Sequence, residues 1–116
     1  MPVDTNTEVN SIDGRGSADT PLTEGPEDIS TGVTADLSTG DGAAATATLY
    51  IETEGATELT FEFSPDGETF REPLDESPVG YDGAAQDVAL IDYDAAAVRV
   101  SASNSTKVNL DLRVTA

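Results

Sequence analysis

Residues 107–115 have the sequence Lys-Val-Asn-Leu-Asp-Leu-Arg-Val-Thr. Every second side chain from Val108 to Val114 is apolar, and the side chains between them are polar or charged. Because side chains on a β-strand point alternately to two faces, this pattern predicts a strand with one face in a core and the other in water. Residues 58–64 and 97–103 alternate in the same way. The sequence therefore predicts an antiparallel all-β fold.

Four further segments complete a set of about seven predicted strands. They are residues 29–38, 44–52, 68–72 and 86–91. In the last of them, Val88 and Leu90 share one face. Residues 64–67, Ser-Pro-Asp-Gly, predict a turn that joins residues 58–64 and 68–72 as a hairpin, and residues 73–83 predict a loop. Because two half-buried sheets must cover each other, we expect a small antiparallel β-sandwich or jelly roll.

The first 28 residues differ in composition from the rest of the chain. All six aromatic residues lie between residues 50 and 93, whereas residues 1–28 are mostly small, polar or acidic. This contrast predicts two regions, an extended acidic N-terminal arm at 1–28 and a β-sandwich domain at 29–116. We expect the arm to be too poor in apolar side chains to settle on its own sandwich. Its predicted anchors to a partner are Val3, Val9, Ile12 and Leu22.

Charge and composition exclude several classes of function. The 116 residues include 23 acidic and five basic side chains, for a net charge of -18. Such a chain has no basic patch for phosphates, so we expect no nucleic-acid partner. Without Cys or His it cannot build a common zinc site, a cysteine nucleophile or a Ser-His-Asp triad. No apolar stretch approaches the roughly 18 residues of a membrane span, so we expect no membrane partner.

The same acidic excess predicts a protein adapted to concentrated salt. Self-repulsion between carboxylates is screened there, because the Debye length falls to about 3 Å at 1 M salt. We therefore expect the fold or its assembly to be lost at low salt.

Carboxylates are the only abundant reactive groups. Asp92 and Asp94 flank Tyr93, and alternation places both on one exposed face at a strand end. A solvated acidic surface explains them, with a small hydrolase using paired acids as an alternative. Asp66, Asp82, Asp92 and Asp94 are also candidate oxygen ligands for a structural cation, although none lies in an EF-hand register. We predict no catalytic residue and no cofactor, with a structural cation left open.

Two arginines stand out in a chain with few cations. Arg99 and Arg113 occupy outward positions of predicted C-terminal strands. They are expected to pair with acidic side chains, either within the chain or across a subunit contact. Together with the four arm anchors they form the predicted partner-binding set.

One motif resembles a known sequence pattern. Ser-Pro-Asp-Gly-Glu-Thr-Phe at 64–70, followed by Ala-Val-Arg-Val at 97–100, is similar to the pattern of discoidin-like and carbohydrate-binding jelly rolls. The resemblance implies a tight hairpin, an aromatic anchor after it and a sugar site. The sequence departs from sugar binders because Phe70 replaces Trp and the loops lack a basic or aromatic cluster.

Taken together, the acidic β-sandwich pattern and the polar arm resemble small head-decoration or cement proteins of haloarchaeal tailed viruses. The resemblance implies a non-enzymatic protein on the outer capsid surface of the virion, assembled in the host cytoplasm. Its implied partners are the major capsid protein or other virion proteins, and it is expected to be a homo-oligomer, with a trimer as one option. The alternative is a cell-surface or carbohydrate-binding module, such as a tail or spike receptor-binding component, that uses loops 73–83 and 91–96.

Overall fold

The structure is a computed structural model that describes residues 17–37, 46–73, 77–93 and 95–115. Regular structure in those ranges consists of strands: β1 (Ser17–Pro21), β2 (Glu27–Asp28), β3 (Val33–Asp36), β4 (Thr46–Thr53), β5 (Thr57–Ser64), β6 (Val79–Tyr81), β7 (Ala85–Ile91), β8 (Ala97–Ala102) and β9 (Lys107–Thr115). No helix in the described ranges is long and apolar enough to cross a membrane.

The strands form two antiparallel sheets. In the front sheet, β1 and β2 both pair with β9, which is followed by β4 and then β7. The back sheet has the order β3, β8, β5, β6. The pairs are nested along the chain, with β2 on β9, β3 on β8, β4 on β7 and β5 on β6. This nesting is the connectivity of a jelly roll, so the predicted fold class is confirmed. In the described residues nine strands occupy eight positions, since β1 and β2 share one edge of β9. Compared with the predicted seven, the strand at 68–72 is missing, and the β1/β2 position and β6 are additional.

The core lies between the inward faces of the two sheets. The predicted alternation of β9 is confirmed, since Val108, Leu110, Leu112 and Val114 are all fully buried. Leu49 and Ile51 of β4 lie beside them in the front sheet. The back sheet faces them mainly with Ala35, Leu59, Phe61, Val98 and Val100.

Strand β7 exposes side chains that a core strand would bury. It contains the apolar run Val88-Ala89-Leu90-Ile91, which cannot alternate with polar residues. Ile91 is buried and Ala89 packs against the core, whereas Val88 and Leu90 point to solvent. The shared face predicted for Val88 and Leu90 is therefore the outer face of the front sheet.

The predicted hairpin strand at residues 68–72 is wrong. Only one bridge forms there, in which Phe63 and Arg71 exchange backbone hydrogen bonds of 2.8 and 3.0 Å. The reason lies in the turn, where side chains take the donors that a strand ladder needs. The Ser64 hydroxyl accepts a hydrogen bond from Gly67 N–H at 2.8 Å, and the Asp66 carboxylate accepts from the two backbone N–H groups that follow Gly67. Main-chain donors bound in this way cannot continue a sheet.

The predicted loop at residues 73–83 contains a short strand. Within it, β6 pairs with residues 57–59 of β5 and becomes an edge of the back sheet. Three residues are too few to show an alternating pattern, and Gly80 at their centre lowers strand propensity. Pairing with β5 overrides that preference.

Residues 17–28 belong to the sandwich, contrary to the expectation that the whole of 1–28 would need a partner to settle. β1 lies along the second half of β9, with Pro21 opposite Asp111, and β2 lies along its start, with Asp28 opposite Lys107. The composition of residues 17–28 reports only on their side chains. A strand ladder is made by main-chain groups, which polar residues possess as well as apolar ones.

The bend between β1 and β2 is fastened to β9 by a buried threonine. Leu22 N–H donates to the Leu110 carbonyl at 3.0 Å, and Leu110 N–H donates to the Thr23 hydroxyl oxygen at 3.0 Å. The Thr23 hydroxyl in turn donates to Asn109 Oδ1 at 2.6 Å. Further along, Ile29 is buried in the core and its carbonyl accepts from Ala102 N–H of the back sheet. The segment therefore joins the two sheets.

Candidate functional site

The most site-like feature is a cleft between the sheets on the side where β6 and β7 form their edges. We call it the edge cleft. It has a volume of about 270 Å³ and is mainly apolar. Four of the six aromatic rings line it, together with one carboxylate: Phe61, Phe63, Tyr81, Tyr93 and Asp87. Apolar walls with a few polar groups are typical of ligand sites.

Two pairs of side chains shape the edge cleft. The rings of Phe63 and Tyr93 meet with centroids 4.7 Å apart and planes tilted by 41°. The Tyr81 hydroxyl donates a hydrogen bond to Asp87 Oδ2 at 2.7 Å. Burial raises the pKa of the Tyr81 phenol, and the hydrogen bond to the negative Asp87 raises it further. Tyr81 is therefore held as a neutral donor that orients the carboxylate.

The edge cleft joins the two loops named for the carbohydrate-binding alternative. Pro73, Val79 and Tyr81 come from residues 73–83, and Ile91 and Tyr93 come from residues 91–96. The sequence showed that both segments carry an aromatic residue, but it did not show that they meet. Their meeting depends on β6 and β7 being edges on the same side of the sandwich.

A second feature is an apolar patch on the outer face of the front sheet. We call Tyr50, Val88 and Leu90 the outer patch. Their exposed fractions are 48%, 59% and 66%, and Tyr50 lies opposite Val88 in the pairing of β4 with β7. Exposed apolar residues are normal when scattered, but adjacent ones on one face indicate an interaction surface. The sequence pattern missed this surface because the run of four apolar residues left the outward face undecided.

Tyr50 and Val88 of the outer patch also line a broad shallow depression of about 610 Å³. Glu52 and Gln86 lie on its rim, joined by a hydrogen bond of 3.1 Å from Gln86 Nε2 to Glu52 Oε2. Asp111 of β9 lines its far side. Acidic and amide groups thus border the apolar side chains.

Arg99 pairs within its own chain. Its Nε lies 3.0 Å from Glu62 Oε1, and its guanidinium carbon lies 4.4 Å from the centre of the Phe70 ring. Of the two pairings predicted for Arg99, the intramolecular one is therefore present. This contact with Arg99 places Phe70 on the outer side of the back sheet, outside the edge cleft.

The other predicted partner-binding residues are dispersed. Arg113 is half-buried on β9, opposite Thr48 of β4 in register. Leu22 packs against the core of its own chain, so it is not a free anchor as predicted. Val3, Val9 and Ile12 lie outside the described residues.

The candidate cation ligands do not converge in the described part of the chain. Asp66 instead holds its turn, because its Oδ1 accepts from Thr69 N–H, Glu68 N–H and the Ser64 hydroxyl at 2.8 to 3.0 Å. These hydrogen bonds lower the pKa of the Asp66 carboxyl to about 2. Among residues 17–37, 46–73, 77–93 and 95–115, no three acidic side chains form a group that could hold a metal ion. Asp94 lies outside the described residues.

Comparison with models of protein families, with curated protein sequences and with solved structures finds no match. Function therefore has to be inferred from the geometry and chemistry of the chain itself.

Proposed function

We propose that this protein is a non-enzymatic structural protein that attaches to the outer surface of a viral capsid and stabilises it in concentrated salt. The observation that carries the proposal is the outer patch. On a chain of net charge -18, three adjacent apolar side chains on one sheet face form a defined place for attachment. The remaining acidic surface keeps the protein soluble in brine.

The jelly-roll fold is compatible with this role, since it occurs in viral capsid proteins, but it occurs in lectin domains and cupins as well. Fold alone therefore does not decide function. The charge adds a directional argument, because a strongly anionic protein is repelled from packaged nucleic acid and suits an outward position.

In this proposal, the N-terminal segment that bridges to other subunits is shorter than the predicted arm of 28 residues. Residues 17–28 are engaged on β9, so the segment upstream of Ser17, with Val3, Val9 and Ile12, is the part left for bridging. Ser17 lies at the β9 edge of the front sheet, and the outer patch lies toward the β7 edge. One subunit would therefore offer two separate contacts, and many weak copies would act together.

Reattachment to particles stripped of the protein tests the proposal in 3 M NaCl. The double variant Val88→Thr and Leu90→Thr is expected to reduce attachment more than tenfold, because both side chains lose apolar contact area. The matched control is Thr34→Val and Thr60→Val, which changes exposed or half-exposed positions of the back sheet. Equal attachment of the patch variant and the wild type, with both folded, would contradict the proposal.

A carbohydrate-binding or cell-surface module is the second candidate, favoured by the meeting of loops 73–83 and 91–96 at the edge cleft. A glycan array in concentrated salt tests it with Tyr93→Ala, which removes a ring of the cleft, and Tyr50→Ala, which removes a ring outside it. Selective loss of glycan binding in Tyr93→Ala supports the module. Absence of any glycan binding by the wild type counts against it.

A further inference from the structure

The edge cleft combines aromatic rings with a carboxylate, Asp87, to which neither proposed function assigns a role. Its volume of about 270 Å³ is just below the range of roughly 300–1,000 Å³ typical of small-molecule pockets, so only a small ligand fits. Among the described residues, its lining combines four aromatic side chains with one carboxylate, that of Asp87. Because the faces of aromatic rings carry negative charge density, a positive group placed over a ring face is attracted by the ring as well as by the carboxylate.

Asp87 is held in place and still has acceptor capacity. Its Oδ2 accepts the Tyr81 hydroxyl at 2.7 Å, and its Oδ1 accepts the backbone N–H of Val88 at 2.9 Å. A carboxylate offers about four lone-pair sites, so two hydrogen bonds leave room for a ligand. The two bonds fix the direction of the group, which lowers the cost of ordering it when a ligand binds.

We propose that the edge cleft binds a small organic ammonium ion, with its alkyl groups against Phe63, Tyr81 and Tyr93 and its charge balanced by Asp87. Cation–π attraction supplies the selectivity for positive charge, and aromatic walls are the usual recognition element for alkylated ammonium groups. The proposal concerns ligand binding by this cleft and does not depend on attachment to a capsid.

Other ligand classes fit the cleft less well. Calcium takes six to eight oxygen ligands, whereas the described residues that line the cleft include one carboxylate. A neutral apolar ligand would remove water from Asp87 without replacing its charge interactions, which is costly. An alkylated ammonium ion satisfies both the apolar rings and the carboxylate.

Salt affects the two components of this binding differently. The field of the whole chain, with its net charge of -18, attracts cations at low salt but is screened in molar salt. Contacts between the ammonium group and the rings act at a few ångströms and persist. We therefore expect specific binding to survive concentrated salt, whereas general attraction of cations does not.

A chemical-shift titration of the full-length protein in 2 M NaCl tests the proposal. The probes are choline and its neutral isostere 3,3-dimethylbutan-1-ol, at constant ionic strength. We expect saturable shifts at Tyr81, Asp87 and Tyr93 with choline, and at least fivefold weaker binding of the alcohol. Equal binding of the two probes would show a purely apolar pocket, and absence of saturable shifts with choline would show no site. Either result overturns the proposal.

Substitutions of residues that line the cleft then test whether the ammonium ion binds there. Tyr93→Leu removes a ring and Asp87→Asn removes the charge, and each is expected to weaken choline binding by about three- to tenfold. The matched controls are Tyr50→Leu, an exposed ring on the outer face, and Asp82→Asn, an exposed carboxylate in the turn between β6 and β7. Equal weakening by the controls would overturn the assignment to this cleft. If a cleft variant fails to fold, the comparison of the two probes on the wild type still decides.

Discussion

At one edge of the front sheet, β1 and β2 lie along β9. At the other edge, β7 pairs with β4 and, among the described residues, with no second strand, and its Val88 and Leu90 point outward. Exposed edge strands usually carry charges or proline that prevent other chains from pairing with them. β7 carries one charged residue, Asp87, in seven, although the chain as a whole is strongly acidic.

The contrast shows that an edge can be covered without apolar side chains. β1 and β2 cover β9 with main-chain pairing and the buried Thr23 hydroxyl, using a segment of polar and acidic composition. The β7 edge has the opposite combination: apolar side chains are present, and no described strand pairs with its outer side. The first edge contributes to the stability of the fold, and the second is available for a contact.

The largest expected effect compares the same substitution near the two edges. Leu110→Ala on β9 empties a fully buried position and is expected to lower the free energy of unfolding by about 2–5 kcal/mol. Leu90→Ala on β7 removes a mostly exposed side chain and is expected to change it by less than about 0.5 kcal/mol. Urea unfolding at fixed salt measures both. Similar losses for the two variants would mean that Leu90 is buried as well.

A smaller effect is expected from Thr23→Val. The change keeps the side-chain shape but leaves Leu110 N–H without its acceptor in a buried position, at a cost of about 1–3 kcal/mol. Thr34→Val, at an exposed position of β3, is the control and should be nearly neutral. Thermal or urea unfolding of the two variants makes the comparison. Equal stability of Thr23→Val and the wild type would show that the Thr23 hydroxyl does not stabilise the β9 edge.

Much of the fold could be predicted because one-faced alternation marks β5, β8 and β9 directly. The N-terminal strands could not be, since main-chain pairing leaves little trace in residues 17–28. The hairpin strand at 68–72 was predicted from turn residues, yet Ser64 and Asp66 take the backbone donors that the ladder requires. The edge cleft could not be predicted from the sequence, because the proximity of Phe63, Tyr81 and Tyr93 depends on the order of the strands in the sheets.

The smallest effect concerns the turn at residues 64–67, which belongs to neither edge. It measures the contribution of one carboxylate to the stability of the fold. The pKa of Asp66 is about 2 in the folded chain against an ordinary value of 3.8. Its stabilising contribution is therefore full above pH 4 and is lost as the pH falls from about 4 to 2. Melting temperatures over this window should fall less steeply in Asp66→Asn than in the wild type. The control Asp82→Asn should follow the wild type, and identical slopes for all three proteins would contradict the assignment.

In the described part of the chain, residues 17–28 cover the β9 edge and no strand pairs with the outer side of β7, and hydrogen exchange of two leucine amides tests this difference directly. Leu110 N–H is bound to Thr23, whereas antiparallel alternation directs Leu90 N–H away from β4. In the full chain at high salt, we predict that Leu110 is protected by about a thousandfold or more and that Leu90 exchanges close to the rate of an unstructured peptide. Fast exchange at Leu110, or equal protection of the two amides, would contradict the account.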